Sequence, residues 1–478
     1  MNKGRKAPQR PMLLTFVLGF SALQTAAAGV LDELMSRRAR DAEVALQIWQ
    51  WAEVGHHEVR SSALLQDELR AAGFDVQSGV AGMPTAFVAS IGSGEPVIGL
   101  LAEFDALPGF SQQAVPEKSA ISQQMSGHAC GHHLFGTASV SAGIAVGRWL
   151  KASGRAGTVR VYGTPAEEGG GGKVYMARAG LFDDVSAVLH WHPGDENNAS
   201  QTGSTANKTG KFRFYGTPSH AAAAPEKGRS ALDALEAMNF MVNQLREHVP
   251  QEARMHYIIT RGGSAPNVVP EFAESYLYVR HPDPRVVAEL WQRVLKIADA
   301  AALGTETRSE VEVVNAVYSI LPNDTLGRLV DRRLREVGGV VYDADERRFA
   351  EALQTTLTAP APALEEAARI QPYQFTQNYG SSDVGDVSWI VPTAGLDAAT
   401  WVPGTPAHSW QAVAAGGMSI GLKGMGVASR TLALVAEDLL RNPRLLRDAR
   451  AEHQRRRGPD FRYLALVGDR EPPLDYRD

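Results

Sequence analysis

The stretch TVRVYGTPAEE, residues 158–168, decides the fold: it is a short apolar strand that ends in a loop carrying two carboxylates. Similar strands are predicted in FVASIG (87–92), PVIGLLAEFDAL (96–107) and AVLHWHPGD (187–195), with helices over 131–152 and 173–180. Alternation of this kind predicts an α/β layered domain around a central, mostly parallel sheet. Loops at the carboxyl ends of such strands usually hold the functional site.

A second pattern occupies residues 207–318. Strands and helices follow there in the order β-α-β-β-α-β, with helices over 228–247 and 284–303, which predicts an inserted α+β domain of ferredoxin-like type. The first pattern then resumes, so residues 29–206 and 319–450 are predicted to form one discontinuous catalytic domain. We further predict helix over 30–73 and over 410–439, and an Arg-rich, partly irregular tail over 440–478, of which 451–478 lie outside the catalytic domain.

The composition is that of a globular protein. The chain has 478 residues, 44% of them apolar and 21% charged, which is too long for one core and too apolar for disorder. Its net charge of −5 gives no reason to expect nucleic acid or an anionic membrane as a partner.

The first 28 residues have the features of a secretory signal. Four cations without an acid precede an apolar run over 12–23, and three alanines follow at 26–28. This order predicts cleavage after Ala28 and export, to the periplasm, of a chain with net charge −9. A buried N-terminal helix is the alternative interpretation.

The stretch GHACGHHLFG, residues 127–136, contains the only cysteine of the sequence, Cys130, and three histidines, His128, His132 and His133. Cys130 could be a nucleophile, a buried thiol or a metal ligand. A thiolate and an imidazole two residues apart can converge on one ion. In an oxidising compartment a single cysteine also has no disulfide partner within its chain.

Three further stretches offer metal-type ligands. Glu167 and Glu168 repel each other unless a cation is close. One of them can bind a metal while the other contacts a water molecule. A solvated helix start is the alternative interpretation of this pair. His190 and His192 alternate at a strand end, so one of them can face the site. His408 precedes a helix, and this position alone is weak evidence for a metal ligand.

Together these motifs resemble the dinuclear amidohydrolases of the aminoacylase and carboxypeptidase type, within which the branch acting on p-aminobenzoyl-glutamate is most similar. The resemblance covers residues 40–440 and is carried, in the family's order, by GLLAEFDALPG, GHACGHHLFG, GTPAEEGGGG, GTPSHAAAAPEKGRSALDA, GGSAPNVVPEFAESYLYVR, SSDVGDVSW and PGTPAHSWQ.

The resemblance implies a centre of two divalent metal ions and a general base. The ligands it implies are Cys130, His132, Glu168, His192 and His408, with Cys130 where related branches have a bridging Asp. Glu167 matches the base that takes a proton from the metal-bridging water and delivers it to the leaving nitrogen. Thiolate and imidazole favour Zn, and the carboxylate leaves Mn open.

The chain departs from the family pattern at two places. His133 stands where the family usually has Asp. Glu103-Phe104-Asp105 stands where other branches have an H-x-D motif, so Asp105 is predicted to orient a ligand imidazole and Glu103 is left unassigned.

The resemblance also implies functional residues in the inserted domain. His220 matches a residue that supports the oxyanion in a neighbouring subunit's site, which predicts a dimer of identical or paralogous chains. Asn267 and Arg280 match positions that hold the substrate's carbonyl and carboxylate, and an Arg fork suits a carboxylate. The alternative interpretation is that Arg280 is a surface charge at the end of a strand. Ser382 and Asp383 match a loop near the site, without an assigned role.

The motifs and the resemblance together predict a metal-dependent hydrolase that cleaves a small amide with a free carboxylate. The most similar branch implies p-aminobenzoyl-glutamate or a similar N-aroyl amino acid as the substrate. An exported dipeptidase or aminoacylase is the alternative within the same class. A cysteine hydrolase, with Cys130 as nucleophile and His128 or His132 as base, would leave the other ligand-type residues unexplained. A non-catalytic binding protein descended from the enzymes is the third hypothesis.

Overall fold

The protein is described by a computed structural model that covers residues 1–4, 29–358 and 360–477. The predicted secretory signal, apart from its first four residues, lies outside the described residues. The strands are β1 (Asp75–Ser78), β2 (Phe87–Ser93), β3 (Val97–Ala102), β4 (Leu107–Pro108), β5 (Ser126–Gly127), β6 (Gly157–Gly163), β7 (Ala187–Gly194), β8 (Ala206–Tyr215), β9 (Arg254–Arg261), β10 (Phe272–His281), β11 (Arg308–Val317) and β12 (Thr393–Ala399). The helices are α1 (Val30–Trp51), α2 (Val59–Ala71), α3 (His132–Ser153), α4 (Gly172–Arg178), α5 (Ala231–Leu245), α6 (Pro284–Gly304), α7 (Asp324–Val337), α8 (Ala344–Gln354), α9 (Val384–Ile390), α10 (Trp410–Gly416), α11 (Ser419–Arg441) and α12 (Pro443–Arg457).

The central sheet has the strand order β1-β2-β6-β3-β7-β12. Strands β6, β3, β7 and β12 run parallel, and β2 runs antiparallel to both of its neighbours. The predicted mostly parallel sheet is confirmed. Strand β3 is buried along its whole length, as expected of a parallel strand that is covered on both faces. The four parallel strands end at one edge of the sheet.

Helix α3 packs tightly against this sheet. A Cβ added at Gly143 would lie 2.4 Å from Cγ2 of Val161 in β6, so the helix approaches the strand more closely than a side chain would allow. The helix begins at His132, directly after Gly131, whose φ of 75° only glycine adopts readily. This close approach fixes the position of the Cys130–His132 segment relative to the strand ends.

A second sheet has the order β11-β8-β10-β9, with all neighbours antiparallel. The chain order β8-α5-β9-β10-α6-β11 is the predicted one, and the ferredoxin-like arrangement is confirmed. One face of the sheet packs on α5 and α6 around Phe212, Leu277 and Trp291, in a buried cluster separate from that of the first domain. The domain bounds, 29–206 with 319–450, 207–318 and 451–478, stay a prediction.

Two of the predicted helices are interrupted. The stretch 30–73 breaks between α1 and α2, where Ala52 and His56 have φ values of 43° and 64° that no helix contains. The stretch 410–439 breaks between α10 and α11 near Gly417, against which the ring of Trp49 packs. Neither break has a proline, and the local signals are glycines, Gly55 in the first break and Gly416-Gly417 in the second.

The irregular part of the tail, 458–477, follows α12. Among the residues that the structure describes, no helix is both long and apolar enough to cross a bilayer.

Candidate metal centre

The predicted ligands meet at the edge where the parallel strands end. Glu168 follows β6, His192 lies near the end of β7, and His408 lies in the loop after β12. Cys130 and His132 reach the same edge from the start of α3. All five residues that the resemblance implies as metal ligands are therefore brought together by the fold.

The ligand atoms form two groups that share one thiol. Cys130, His132 and His192 form the first group, and Cys130, Glu168 and His408 form the second, with the ligand atoms of each group within 4.8 Å of one another. Cys130 Sγ lies 3.4 Å from His192 Nε2, and His408 Nε2 lies 3.1 Å from Glu168 Oε1. Two cations held by these groups would have the sulfur of Cys130 between them.

Glu167 lies beside these groups without belonging to either. Its carboxylate joins a third group with Glu103 and His132. Burial and the neighbouring carboxylate of Glu103 raise the pKa of Glu167 well above its ordinary value. A carboxyl group with a raised pKa next to a ligand cluster is suited to accepting and returning a proton.

Asp105 contacts both His132 and the loop that carries the Glu pair. Its Oδ1 lies 2.8 Å from His132 Nδ1, and its Oδ2 accepts a hydrogen bond of 2.9 Å from the backbone N–H of Glu168. The first contact leaves Nε2 of His132 to face the centre, which is the arrangement of a residue that orients a metal-ligating imidazole.

The residues present fit a pair of divalent cations. His132 Nε2 and Glu103 Oε2 are buried and in ion-pair contact at 3.1 Å, but neither atom makes a hydrogen bond with the described residues. Orphaned buried atoms of this kind are costly unless an ion or water satisfies them. A thiol, imidazoles and a carboxylate converging on one space are a donor set suited to divalent metal ions.

The surroundings of Cys130 disfavour a nucleophilic thiolate. Burial raises the pKa of the thiol, and the carboxylate of Glu168 raises it further, although His132 opposes this. His128, one of the two bases considered for a cysteine hydrolase, points away, with its Nε2 3.1 Å from the carbonyl of Ile48. A bound cation would hold the sulfur as thiolate without a base.

Lys173 is a buried cation at the centre that the sequence did not suggest. Its Nζ lies 2.8 Å from a carboxylate oxygen of Glu103 and 2.7 Å from one of Asp383. Both acids, which have no role assigned from the sequence, are thus paired with one ammonium group, which compensates part of the negative charge next to Glu167. The only sequence signal is the position of Lys173 after a run of four glycines, and that pattern indicates a loop rather than a buried lysine.

The remaining histidines of the motifs do not belong to the ligand groups. His133 Nε2 lies 3.0 Å from the carbonyl of Gly416, at the break between α10 and α11. Burial lowers the pKa of His133 well below its ordinary value, so the ring is a neutral donor to that carbonyl. His190 packs its ring against Gly395 on the neighbouring strand, and His192 alone of that pair joins the ligands.

The predicted residues of the second domain lie at two distant places within the chain. His220 and Asn267 are exposed and lie in neighbouring loops, with the carbonyl of Asn267 accepting a hydrogen bond of 3.0 Å from Ala221. Arg280 lies at the other end of β10, paired with Asn207 at the start of β8. The stretch of β10 from Phe272 to Arg280 spans about 26 Å. The structure therefore does not bring His220 and Asn267 to Arg280 within one chain.

The chain matches known proteins over most of its length. Residues 202–306 match the M20 peptidase dimerisation domain family. The chain is 41% identical over 450 residues to one of the subunits of p-aminobenzoyl-glutamate hydrolase of Escherichia coli, covering 88% of this chain and 94% of that protein. It is 29% identical to the Xaa-Arg dipeptidase of Mus musculus, covering 90% of this chain and 94% of that one.

The fold is shared with solved structures. A dinuclear metal-binding peptidase of the M20 family from Bacillus subtilis superposes with a TM-score of 0.56 at 18% identity, covering 85% of this chain and 99% of that one. Together with the sequence matches, this similarity shows that the chain belongs to the M20 family of metallopeptidases, hydrolases that act on amide and peptide bonds.

Proposed function

We propose that the protein hydrolyses the amide bond of an N-aroyl amino acid with a free carboxylate, with p-aminobenzoyl-glutamate as the first candidate substrate. The observation that carries the proposal is the pair of ligand groups sharing Cys130, with Glu167 beside them. The name of the Escherichia coli relative, 41% identical over most of both chains, supports the choice of substrate.

Different residues of the chain have different roles in the proposed reaction. Glu167 accepts a proton from the attacking water and delivers it to the leaving nitrogen, the two transfers that amide hydrolysis needs. Asp105 keeps His132 oriented, and Lys173 keeps Glu103 and Asp383 compensated next to the base. Two divalent cations, when bound, would supply an acidified water and stabilise the negative charge on the carbonyl oxygen.

Zn or Mn is the proposed metal. Cys130 with His132 and His192 is a softer donor set than Cys130 with Glu168 and His408, because the second group includes a carboxylate. Thiolate and imidazole ligands favour Zn, whereas a carboxylate is also a good ligand for Mn. The variant Cys130→Ser would distinguish the two, since a hydroxyl retains Mn better than Zn.

Arg280 is the proposed partner of the substrate's carboxylate. It lies on the face of the second sheet opposite the two helices, and its Nε is buried without a partner among the described residues. The guanidinium fork matches a carboxylate in geometry and charge. Its end of β10 adjoins the start of β8 and so the first domain.

A dimer is proposed to complete the site. His220 and Asn267 lie too far from Arg280 to act with it in the same chain, as the length of β10 indicates. The second domain also exposes apolar side chains, among them Phe240 on α5 and Ile258 and Ile259 on the edge strand β9. The partner is a second copy of this chain or a paralogous subunit. The Escherichia coli relative is named as one subunit of its enzyme, which supports the paralogous arrangement as an alternative.

Export to the periplasm is proposed from the N-terminal pattern of four cations, an apolar run and three alanines. The substrate is then a small molecule available outside the cytoplasm. Nucleic acid and membrane surfaces are not proposed as partners, because the mature chain would carry a net charge of −9.

A substrate screen tests the proposal. Metal-loaded protein of residues 29–478 is incubated with aroyl-glutamates, acyl amino acids and dipeptides, and Glu167→Gln serves as the matched control. We expect cleavage of p-aminobenzoyl-glutamate by the parent protein and a loss of at least about 100-fold in the variant, with unchanged metal content. Preference for dipeptides would favour the alternative that the Mus musculus relative suggests. A variant with the parent's rate would show that Glu167 is not the base.

A further inference from the structure

The segment after α12 crosses from the first domain to the second and back to the metal centre. Phe461 packs against Trp389 with tilted rings, whose centroids are 4.8 Å apart. Lys208 at the start of β8 donates a hydrogen bond of 2.6 Å to the carbonyl of Leu466. The guanidinium of Arg470 then donates to the carbonyl of Val313 in β11 at 2.9 Å. We call residues 458–477 the C-terminal strap.

The strap ends on the loop that carries Glu167 and Glu168. The hydroxyl of Tyr476 donates a hydrogen bond of 3.3 Å to the carbonyl of Glu168, and the guanidinium of Arg477 donates to the same oxygen. The ring of Tyr476 lies edge-on to the buried ring of His56, with centroids 5.7 Å apart. Its hydroxyl also occupies space next to Gly55, where a Cβ would lie only 2.1 Å away.

Two buried carboxylates hold the other peptide groups of the same loop. Glu58 accepts a hydrogen bond of 2.8 Å from the N–H of Ala166, and Asp105 accepts one of 2.9 Å from the N–H of Glu168. Ala166 has a φ of 56°, a left-handed conformation that a non-glycine residue keeps only when its surroundings enforce it. The loop is thus held by donors and acceptors on both sides of Glu167.

The carbonyl of Glu168 belongs to the peptide group between Glu168 and Gly169. Because a peptide group is planar and rigid, rotation of this group would also turn the backbone of Glu168 and the adjoining Glu167. Glu58 and Asp105 fix the N–H groups of Ala166 and Glu168. The carbonyl of Glu168 is held by the C-terminal strap. A misplacement of about 1 Å at a reacting group costs roughly 100-fold in rate.

We propose that Tyr476 and Arg477 are positioning residues of the hydrolase. By holding the carbonyl of Glu168 they set the direction of the Glu167 and Glu168 carboxylates, so the C-terminal strap is part of the active site. This inference rests on the proposed function of Glu167 as the base. A strap that only covered apolar surface would stabilise the fold without changing the position of these carboxylates.

The test compares variants of the full chain. Arg477→Ala and Tyr476→Phe remove the two donors, Arg477→Lys restores one, and Arg462→Ala, at an exposed position in the same strap, is the matched control. The readouts are kcat and KM on the best substrate, bound metal, and deuterium uptake of the peptide spanning 164–171.

We expect Arg477→Ala to lower kcat by about tenfold or more with KM changed less than about twofold, because binding is spared and positioning is lost. The amides of Gly169 and Gly171, which close turns within the loop, should exchange faster. Arg477→Lys should recover most of kcat, and Arg462→Ala should match the parent protein in every readout.

Parent-like kcat and parent-like uptake in the Tyr476→Phe, Arg477→Ala double variant would overturn the inference. So would a loss of kcat that Arg477→Lys fails to recover at all. If the parent protein cleaves none of the substrates, the proposed function fails by itself. The uptake of peptide 164–171 then decides the positioning role alone, since it requires neither substrate nor turnover.

Discussion

The sulfur of Cys130 lies within 4.8 Å of ligand atoms from four other side chains, two imidazoles and a carboxylate–imidazole pair. Burial among carboxylates favours the protonated thiol, because a thiolate there would be poorly solvated and repelled by negative charge. Bound cations would remove this penalty by attracting the thiolate. The proposed coordination would also protect this sulfur from oxidation, because a metal-bound thiolate is less available to oxidants.

At the scale of single residues, Asp386 gives a test that requires neither substrate nor turnover. Its two carboxylate oxygens accept hydrogen bonds from the hydroxyl of Tyr463 at 2.7 Å and the N–H of Tyr318 at 2.9 Å. Burial nevertheless raises the pKa of Asp386 to about 7. The folded protein therefore binds this proton more tightly than the unfolded chain, whose Asp has a pKa of about 3.9.

The direction in which pH changes the free energy of unfolding follows from proton linkage. The stabilisation by protonated Asp386 is complete below about pH 4 and is lost as the pH rises through about 7. Relative to the parent, the free energy of unfolding of Asp386→Asn should thus increase between pH 4 and 7, by up to about 4 kcal/mol, and stay level outside that window. Denaturant unfolding across pH measures the difference, with Asp448→Asn at an exposed position of α12 as control. A difference that does not vary with pH would contradict the assignment.

At the scale of elements, the contact of α3 with β6 places Cys130 and His132 over the strand ends. Gly143→Ala would put a methyl group 2.4 Å from Cγ2 of Val161, so we expect the free energy of unfolding to fall by roughly 1–3 kcal/mol. Val161→Ala in the same chain should recover part of that loss, because it removes the clashing methyl groups.

A second helical glycine provides the control. A Cβ at Gly426 in α11 would meet nothing within 4 Å, so Gly426→Ala should raise the free energy of unfolding by about 0.5–1 kcal/mol through helix propensity alone. Thermal or denaturant unfolding of the three variants checks both signs. Equal effects at Gly143 and Gly426 would show that the α3–β6 approach is not as close as described.

The elements also show what the sequence could and could not predict. Apolar runs that end in Glu, His or Asp predicted the parallel strands and the edge where the ligands meet, since strand periodicity and strand-end loops are local properties. The helix break at 417–418 is accompanied by a contact of Gly417 with Trp49, which is distant in sequence. Lys173 and the C-terminal strap were missed for the same reason: their partners lie far along the chain and follow no period.

At the scale of the whole molecule, β10 extends about 26 Å from Phe272, at the end where the loops of His220 and Asn267 lie, to Arg280. A site that needs all three must therefore draw on two chains. The M20 dimerisation domain match over residues 202–306 accords with that requirement, and the ferredoxin-like sheet supplies an exposed edge strand, β9.

Mixed dimers test the contribution of a second chain. His220→Ala and Glu167→Gln should each be inactive as pure dimers. After subunit exchange, one site of each mixed dimer regains both an intact His220 and an intact Glu167, so up to about a quarter of the parent activity should return in an equal mixture. Mixtures of either variant with itself are the control. Absence of recovery after proven exchange would place His220 in the site of its own chain.

The central proposal is that hydrolysis requires two metal ions and that Cys130 would be a ligand to both. The most direct measurement is titration of chelator-treated protein with Zn or Mn, following bound metal and cleavage of p-aminobenzoyl-glutamate together, with Cys130→Ala as the comparison. We predict no cleavage without metal, recovery as two equivalents bind, and fewer than two tightly bound equivalents in the variant. Full cleavage by metal-free protein, or two tightly bound equivalents in Cys130→Ala, would contradict the account.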